Sequence, residues 1–311
     1  AVPDPAYAEL LCRSNFSFLD GASHPEELVR QAAALGYTAL ALTDECSLAG
    51  VVRAHVAARD VGLKLIIGTR LRLDDGLELS LLAPDAAAYA ALSRLVSLAR
   101  RRSPKGEYLL RRADLEGAGE TLLALWLPGP AAAVEGLAWL AARFPDRCWG
   151  AVARCHEGDD RARFTPLSAL VCSTRVPLVA VGDVRMHDPA RAPLADVLQA
   201  IRLGCPLSAA GFALASNHER HLRPRTALAR LYSPELLAET VRIAARCRFT
   251  LAELRYAYPR ELVPAGLDAS EHLRALTEAG IAQRWPQGVA PRVRAQIEHE
   301  LALIAELGYE A

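Results

Sequence analysis

With 311 residues, 52% of them hydrophobic, the chain can bury one large core and leave material for a second, smaller unit. Thirty-six basic residues balance thirty-six acidic ones, which excludes a chain-wide field that steers the molecule towards nucleic acid and confines any such contact to a local patch. No apolar run approaches the ~18 to 20 residues of a membrane span, and the start AVPDPAYAEL lacks the basic and hydrophobic regions of a signal peptide, so no membrane role is expected and the default compartment is the cytoplasm.

Along the chain, short apolar runs alternate with longer helical stretches up to about residue 205, which predicts an α/β fold with a mainly parallel sheet. Ala8 to Cys12 is the first predicted strand. Ser23-His24-Pro25-Glu26 has the form of a capping box with Pro in the first turn, and it opens a helix ending near Gly36. Strands follow at Thr38 to Leu42, Lys64 to Ile67, Leu77 to Leu82, Leu122 to Leu127, Trp149 to Ala153 and Leu178 to Val181. Helical periods fill Ser47 to Val61, Asp85 to Ala99, Ala131 to Arg143 and Arg191 to Ile201, giving a strand, loop, helix alternation throughout. Seven strands are enough to close a barrel.

Leu203 to Arg223, rich in Gly, Pro, Ser and Asn, reads as a long surface connection, and Ser233-Pro234-Glu235 starts a helix running to about Arg248. Tyr256 to Gly266 reads as an extended linker, followed by helices around Glu271 to Arg284 and Pro291 to Leu307. The expected division is a barrel domain over 1–255 and, over 256–311, a linker with the first helices of something longer. Arg100-Arg101-Arg102, Lys105 and Arg111-Arg112 form the one dense basic segment, read as a solvated loop. The seven cysteines, Cys12, Cys46, Cys148, Cys155, Cys172, Cys205 and Cys247, show no Cys-x-x-Cys pair and are expected to be reduced and mostly buried. No P-loop or Gly-x-Ser-x-Gly elbow is present, so P-loop nucleotide hydrolysis and serine hydrolysis have no starting point.

In a parallel barrel the functional side chains project from the C-terminal ends of the strands. Those positions carry Leu11 and Arg13, Asp44 and Glu45, Arg70, the region of Ala153, and Asp183 and Arg185, with Asp20 added from the first loop. SNFSFLDGASHPEELV (Ser14 to Val29), LGYTALALTDECSLAG (Leu35 to Gly50), GLKLIIGTRLRL (Gly62 to Leu73) and VPLVAVGDVRMH (Val176 to His187) resemble the successive motifs of the PHP domain of bacterial C-family DNA polymerase III α subunits. The resemblance continues through His221 to Phe249 and Gln296 to Ala311, and the wording of the first two segments is nearest the error-prone, damage-inducible branch. It implies a distorted (β/α)7 PHP barrel with an additional C-terminal helical segment.

A metal-binding PHP site resembles a ring of His, Asp and Glu around up to three divalent ions. By that resemblance the first His-x-His falls on Leu11 and Arg13, the Asp-Gly carboxylate on Asp20, the Asp-His on Asp44 and Glu45, a Glu on Arg70, another Glu on Ala153, and the Asp-x-His on Asp183 and Arg185. Guanidinium has no free lone pair and stays positive, so arginine in a ligand position repels a metal. The expectation is a degenerate cleft with no metal, no catalytic residue and no cofactor, in which Arg13, Arg70 and Arg185 neutralise Asp20, Asp44, Glu45 and Asp183.

The function so implied is a structural and interaction module in the N-terminal region of a translesion DNA polymerase, itself a nucleotidyltransferase whose Mg-binding palm lies beyond Ala311. Expected partners are the remainder of the polymerase chain, mutasome proteins and the sliding clamp, with DNA contacted mainly elsewhere. The rival is a metal-dependent phosphoesterase or 3′ to 5′ proofreading exonuclease, from which Leu11, Arg13, Glu45, Arg70 and Arg185 separate it.

Overall fold

The computed structural model describes residues 4–128, 134–158, 174–254 and 263–310. In chain order its elements are β1 (Ala8–Cys12), α1 (Pro25–Ala34), β2 (Ala39–Leu42), α2 (Val51–Val61), β3 (Lys64–Arg72), β4 (Glu78–Leu82), α3 (Ala86–Arg101), β5 (Leu123–Leu127), α4 (Val134–Arg143), β6 (Cys148–Ala153) and β7 (Leu178–Val181). Helices α5 (Ala192–Leu203), α6 (Leu207–Ala210), α7 (Arg225–Leu231), α8 (Pro234–Arg246), α9 (Ala269–Arg284) and α10 (Pro291–Leu307) follow. They fall into two compact units, Ala1–Glu253 and Leu254–Ala311.

The seven strands hydrogen-bond in sequence order. Pairs β1–β2, β2–β3, β5–β6 and β6–β7 are parallel, whereas β4 runs antiparallel to both neighbours. Strict strand–helix alternation therefore fails between β3 and β4. β3 does not stop at Ile67 but continues to Arg72, and a tight turn in which Leu73 N–H bonds Leu77 O at 2.8 Å folds it straight back into β4 with no helix between. The physical signal was the run Asp74-Asp75-Gly76, a hairpin turn with Gly76 in the left-handed region at φ 87°.

Period-two alternation sorts the strand residues onto two faces. Leu40, Leu42, Leu79, Leu81, Ala124 and Trp126 pack in one cluster with Leu28, Ala54, Leu92 and Leu140 of α1 to α4, the layer between strands and surrounding helices. Ala39, Ala41, Leu123, Leu125, Ala151 and Val179 form a second cluster that the strands enclose, to which α8 adds Ile243 and Ala244. Each such fully buried Leu is worth about 1.5 to 3 kcal/mol.

The barrel nearly closes where its first strand meets the segment just past its last. Past the end of β7, Val184 N–H bonds Leu11 O and Arg13 N–H bonds Val184 O, each at 2.9 Å. Beside them the Glu9 carboxylate, 1% exposed, accepts from Gly182 N–H at 3.0 Å, from Leu11 N–H at 3.0 Å and from Tyr7 O–H at 2.8 Å. A Cβ on Gly182 would lie 2.5 Å from Glu9 Oε2, so only glycine admits this carboxylate to the seam. Burial pushes the Glu9 carboxyl above its ordinary range, against the lowering effect of these three donors.

Two helix starts differ from the sequence expectation. The cap of α1 is His24, whose N–H is met by Glu27 at 2.8 Å, because the Ser23 hydroxyl is taken by His187, 2.8 Å from its Nδ1 and 2.9 Å from its backbone N–H. Helix α2 begins at Val51, not Ser47, since Ser47 to Gly50 turn beneath β3 with Ser47 N–H on Thr69 Oγ1 at 3.2 Å. The connection from Leu203 to Arg223 contains the short helix α6 and a 3-10 turn at Gly211–Ala213. Cys172, the start of the predicted helix at Ala131 and most of the predicted linker after Tyr256 lie outside the described residues. The other six cysteines are free, and all but Cys205 are buried.

In the second unit Asp268 caps α9 by accepting from Ser270 N–H at 3.1 Å and Glu271 N–H at 3.3 Å. Arg274 grips Glu298 of α10 through two bonds of 3.0 and 2.9 Å.

Candidate functional site

The strand ends bring most of the sequence-predicted site residues together. Leu11 lies inside β1 rather than after it, 3% exposed and packed in the barrel interior, so that position offers no polar atom. Arg13, the first residue past β1's end that faces the cleft, is 4% exposed at its side chain and reaches two acids, Asp20 through Nη1 and Asp183 through Nη2 at 2.6 Å.

Asp20 is delivered by the loop after β1. Asp20 N–H and Gly21 N–H bond Ser17 O at 3.0 and 3.1 Å, and Ala22 N–H bonds Arg185 O at 2.7 Å. The loop is so tight that a Cβ on Gly21 would sit 1.9 Å from Ser14 O. Asp183 has φ 46°, a left-handed conformation uncommon for a non-glycine residue, and its carboxylate collects Arg13, Arg70 at 3.4 Å and Arg220. Arg185 completes the ring by meeting the second oxygen of Asp20 at 3.2 Å.

Arg70 lies within β3, not after it, and its guanidinium spans Asp183, Glu78 and, at 3.7 Å, Glu45. Backbone pairing fixes this placement: Cys46 N–H bonds Arg70 O at 2.8 Å and Arg70 N–H bonds Asp44 O at 3.2 Å. Glu45 also accepts from Tyr108 O–H. Asp44 stands apart from the arginines. It is 1% exposed and accepts from Ser14 N–H at 2.7 Å and from the Ser14 and Ser17 hydroxyls at 2.8 Å each. Three neutral donors satisfy it, so it needs no ion pair, and burial holds its carboxyl above the usual range despite them.

Three members were not foreseen from the sequence. Arg220, held between Asp183 and Glu157, with a 2.7 Å contact to Glu157, comes from the connection after α6. It is brought in because Arg185 N–H bonds Arg220 O at 2.9 Å and Met186 bridges His221, extending the sheet beyond the barrel. Glu78 arrives on the antiparallel strand β4, in register with Arg72, and binds both Arg70 and Arg72. The third, Glu157, follows β6, four residues past Ala153. Ala153 itself closes β6 opposite Val181 and contributes only a methyl group.

Electrostatics follow the geometry. Burial alone would raise the Asp20 carboxyl, but Arg13, then Arg185 and Arg70, outweigh it and hold the group below its ordinary value. Glu78 is lowered in the same way, burial being overcome by Arg70 and Arg72. Burial and then the repulsion of Arg13 bring Arg185 down to about 10, with Asp20 opposing, so it stays charged at neutral pH. The Nε atoms of Arg13 and Arg185 are buried with no acceptor. Beside the network a cavity of about 150 Å³ is lined by Asp20, Glu157, Arg185, Gln199, Asn217 and Arg220.

The two depressed carboxyls give a signed pH dependence. A group whose folded pKa lies below its unfolded value, about 4, stabilises the fold above that value, and the contribution is lost as pH falls through the folded pKa. The unfolding free energy, measured in urea across acid pH, is expected to fall steeply below about pH 4, and the Asp20→Asn variant to lose part of that fall. A flat acid limb, or one unchanged in Asp20→Asn, would show that the Asp20 pairs contribute nothing.

The dense basic segment is drawn into local contacts. Arg100 donates to Cys46 O and Glu45 O at 3.1 Å each, Arg102 pairs with Asp114 at 2.6 Å, Arg111 with Asp74 at 3.6 Å and Arg112 with Asp75 at 2.5 Å.

Residues 9–157 match the family model described as PHP domain. Among curated proteins, the chain is 55% identical over 313 residues to an error-prone DNA polymerase of Dechloromonas aromatica, covering 99% of this chain and 30% of that protein. Identity is 54% to the proteins of that name from Methylococcus capsulatus and Pseudomonas aeruginosa, covering 99% and 98% of this chain and 29% and 30% of theirs. The chain thus spans about three-tenths of the length of these relatives. Among solved structures, an amidohydrolase from Chromobacterium violaceum is 18% identical with a TM-score of 0.43 over 58% of this chain and 88% of that one, a likeness too slight to argue from. The seven strands form a nearly closed, mixed barrel, whose residues 9–157 match the PHP domain model, within a region that is similar over nearly its whole length to error-prone DNA polymerases.

Proposed function

We propose that this chain is the N-terminal region of an error-prone DNA polymerase acting in damage-induced translesion synthesis, with its barrel a non-catalytic scaffold and interaction module. The observation that carries the proposal is Arg13, whose one guanidinium occupies both Asp20 and Asp183 at the mouth of the barrel. Each carboxylate oxygen given to an arginine is withdrawn from a cation, and the guanidinium cannot lose its proton to become a ligand.

The residues of the cleft do not fit the metal ring that a PHP domain implies. By the resemblance to PHP motifs, Leu11, Arg13, Arg70 and Arg185 take the ligand positions, and among the described residues no group of three or more His, Cys, Asp or Glu is placed to hold a metal ion. The adjoining cavity of about 150 Å³ is smaller than the ~300 Å³ at which ordinary small-ligand pockets begin. Both facts favour a structural cleft over a phosphoesterase or proofreading exonuclease centre. Polymerisation would then depend on Mg bound in a palm outside this segment, with the remainder of the polymerase, mutasome proteins and the sliding clamp as partners and DNA held mainly elsewhere.

Inductively coupled plasma mass spectrometry on protein purified without chelator, then soaked with Mn and Zn and desalted, tests the proposal. Less than about a tenth of an equivalent is expected in both samples. One equivalent or more would overturn it and make exonuclease activity the next assay.

A further inference from the structure

At the end of the barrel opposite the cleft, the last turn of α2, the first residues of β3 and the segment after α8 enclose an open groove of about 380 Å³. Four basic side chains line it, His55, Arg59, Lys64 and Arg248, and no carboxylate does. In the same unit Arg13, Arg53, Arg70, Arg102, Arg112, Arg191 and Arg220 are each paired with an acid. Arg59 and Arg248, both exposed, form no ion pair among the described residues. In a chain with no net charge, uncompensated cations converging on one concave surface make a local positive potential.

The groove is built to keep that charge available. Lys64 Nζ donates to Ala244 O at 2.7 Å in the last turn of α8, which anchors the ammonium at the wall and leaves its other N–H donors free. Gly62 closes α2 in the left-handed conformation at φ 70°, with nothing within 4 Å of the place a Cβ would take, so the floor stays open. Leu63, Leu65 and Phe249 supply apolar walls, which strengthen the field inside. Guanidinium forks and an ammonium facing one volume match the oxygens of a phosphate group.

We propose that this groove binds phosphate oxyanions, with Arg59 and Arg248 as the principal contacts and Lys64 as a fixed third. Two sources share the chemistry, the repeated phosphodiesters of a single-stranded nucleic acid and a compact phosphate such as pyrophosphate. The site is separate from the cleft and does not depend on whether that cleft holds a metal.

The test uses the whole chain. Binding of a fluorescent oligothymidylate of about 12 nucleotides is followed by anisotropy at several salt concentrations, and binding of pyrophosphate by calorimetry. The Arg59→Ala/Arg248→Ala variant is compared with Arg30→Ala/Arg230→Ala, which removes equal charge from exposed positions outside the groove. For a nucleic acid ligand, the groove variant is expected to bind at least about tenfold more weakly, and the slope of log K against log salt to shrink by about 1.4, or 0.7 for each lost phosphate contact. Binding of pyrophosphate alone, abolished in the groove variant, would support the site and identify a compact phosphate as its ligand. Failure of both ligands to bind at low salt, or equal weakening by both variants, would overturn the proposal.

Discussion

Replacing Arg13 by Met is expected to lower the unfolding free energy of the barrel unit by about 3 to 5 kcal/mol, the range for removing one partner of a buried ion pair. The side chain is 4% exposed, and its loss leaves Asp20 and Asp183, each 11% exposed, with less positive charge in surroundings that solvate them poorly. Arg185 can still hold Asp20, and Arg70 and Arg220 can still hold Asp183, so the loss is partial and collapse is not expected. In a unit of about 250 residues each kcal/mol shifts the melting temperature by ~2 to 4 °C, so a drop of about 10 °C should appear in a thermal scan. Arg72→Met is the control: its side chain is 65% exposed, and its pair with Glu78 should contribute less than about 1 kcal/mol. Equal effects from the two variants would mean that the cleft network is ordinary surface charge.

The second large effect belongs to Glu9. In Glu9→Ala, the Tyr7 hydroxyl and the N–H groups of Leu11 and Gly182 lose their acceptor inside a seam with no water access. Each orphaned group costs about 1 to 3 kcal/mol, and the void left by the side chain adds to that. A total loss of at least about 4 kcal/mol is expected, measured by urea unfolding. Glu9→Gln should be milder, because its carbonyl can still accept two of these bonds. Its deficit relative to the parent should shrink as pH rises, because the parent's carboxyl, raised by burial, contributes stability that is fully present below its unfolded pKa and is lost as pH rises through the folded value. If Glu9→Ala is as stable as the parent, the seam is held by backbone bonds alone.

The strands were legible because their apolar runs are short and bounded by turns; Ala8–Cys12 and Leu178–Val181 have the limits the sequence predicts. The direction of β4 was not, since an apolar run carries no sign for parallel or antiparallel pairing and the evidence lay in the Asp-Asp-Gly turn before it. Arg13, Arg70, Asp183 and Arg185 could be placed in one cleft because each sits at or near a strand end, and Asp20 because the first loop carries the Asp-Gly of the resembling motif. Arg220 and Glu78 reach the same cleft by strand pairings that join residues far apart in sequence, which no local pattern encodes. Asp44 was expected to need an arginine, but its donors Ser14 and Ser17 lie 30 and 27 residues away in sequence, a pairing no local pattern encodes. Glu9 was passed over because a single acid in an apolar strand looks like an outward-facing position. Its partner Gly182 is 173 residues away.

The closure between β1 and the end of β7 also sets the order in which this chain can assemble. β1 can pair with β2 as soon as Leu42 has been made, but its other edge waits for Val184, and its Ala8 N–H waits for the Thr240 hydroxyl, 3.0 Å away and 232 residues later. Through that interval on the ribosome the first strand presents an unpaired edge, bearing Glu9 with no Gly182 to receive it. A charged side chain on an open edge opposes pairing with another copy of the chain. The residue that locks the finished barrel thus guards the unfinished one, and it changes from gatekeeper to latch when the last strand arrives.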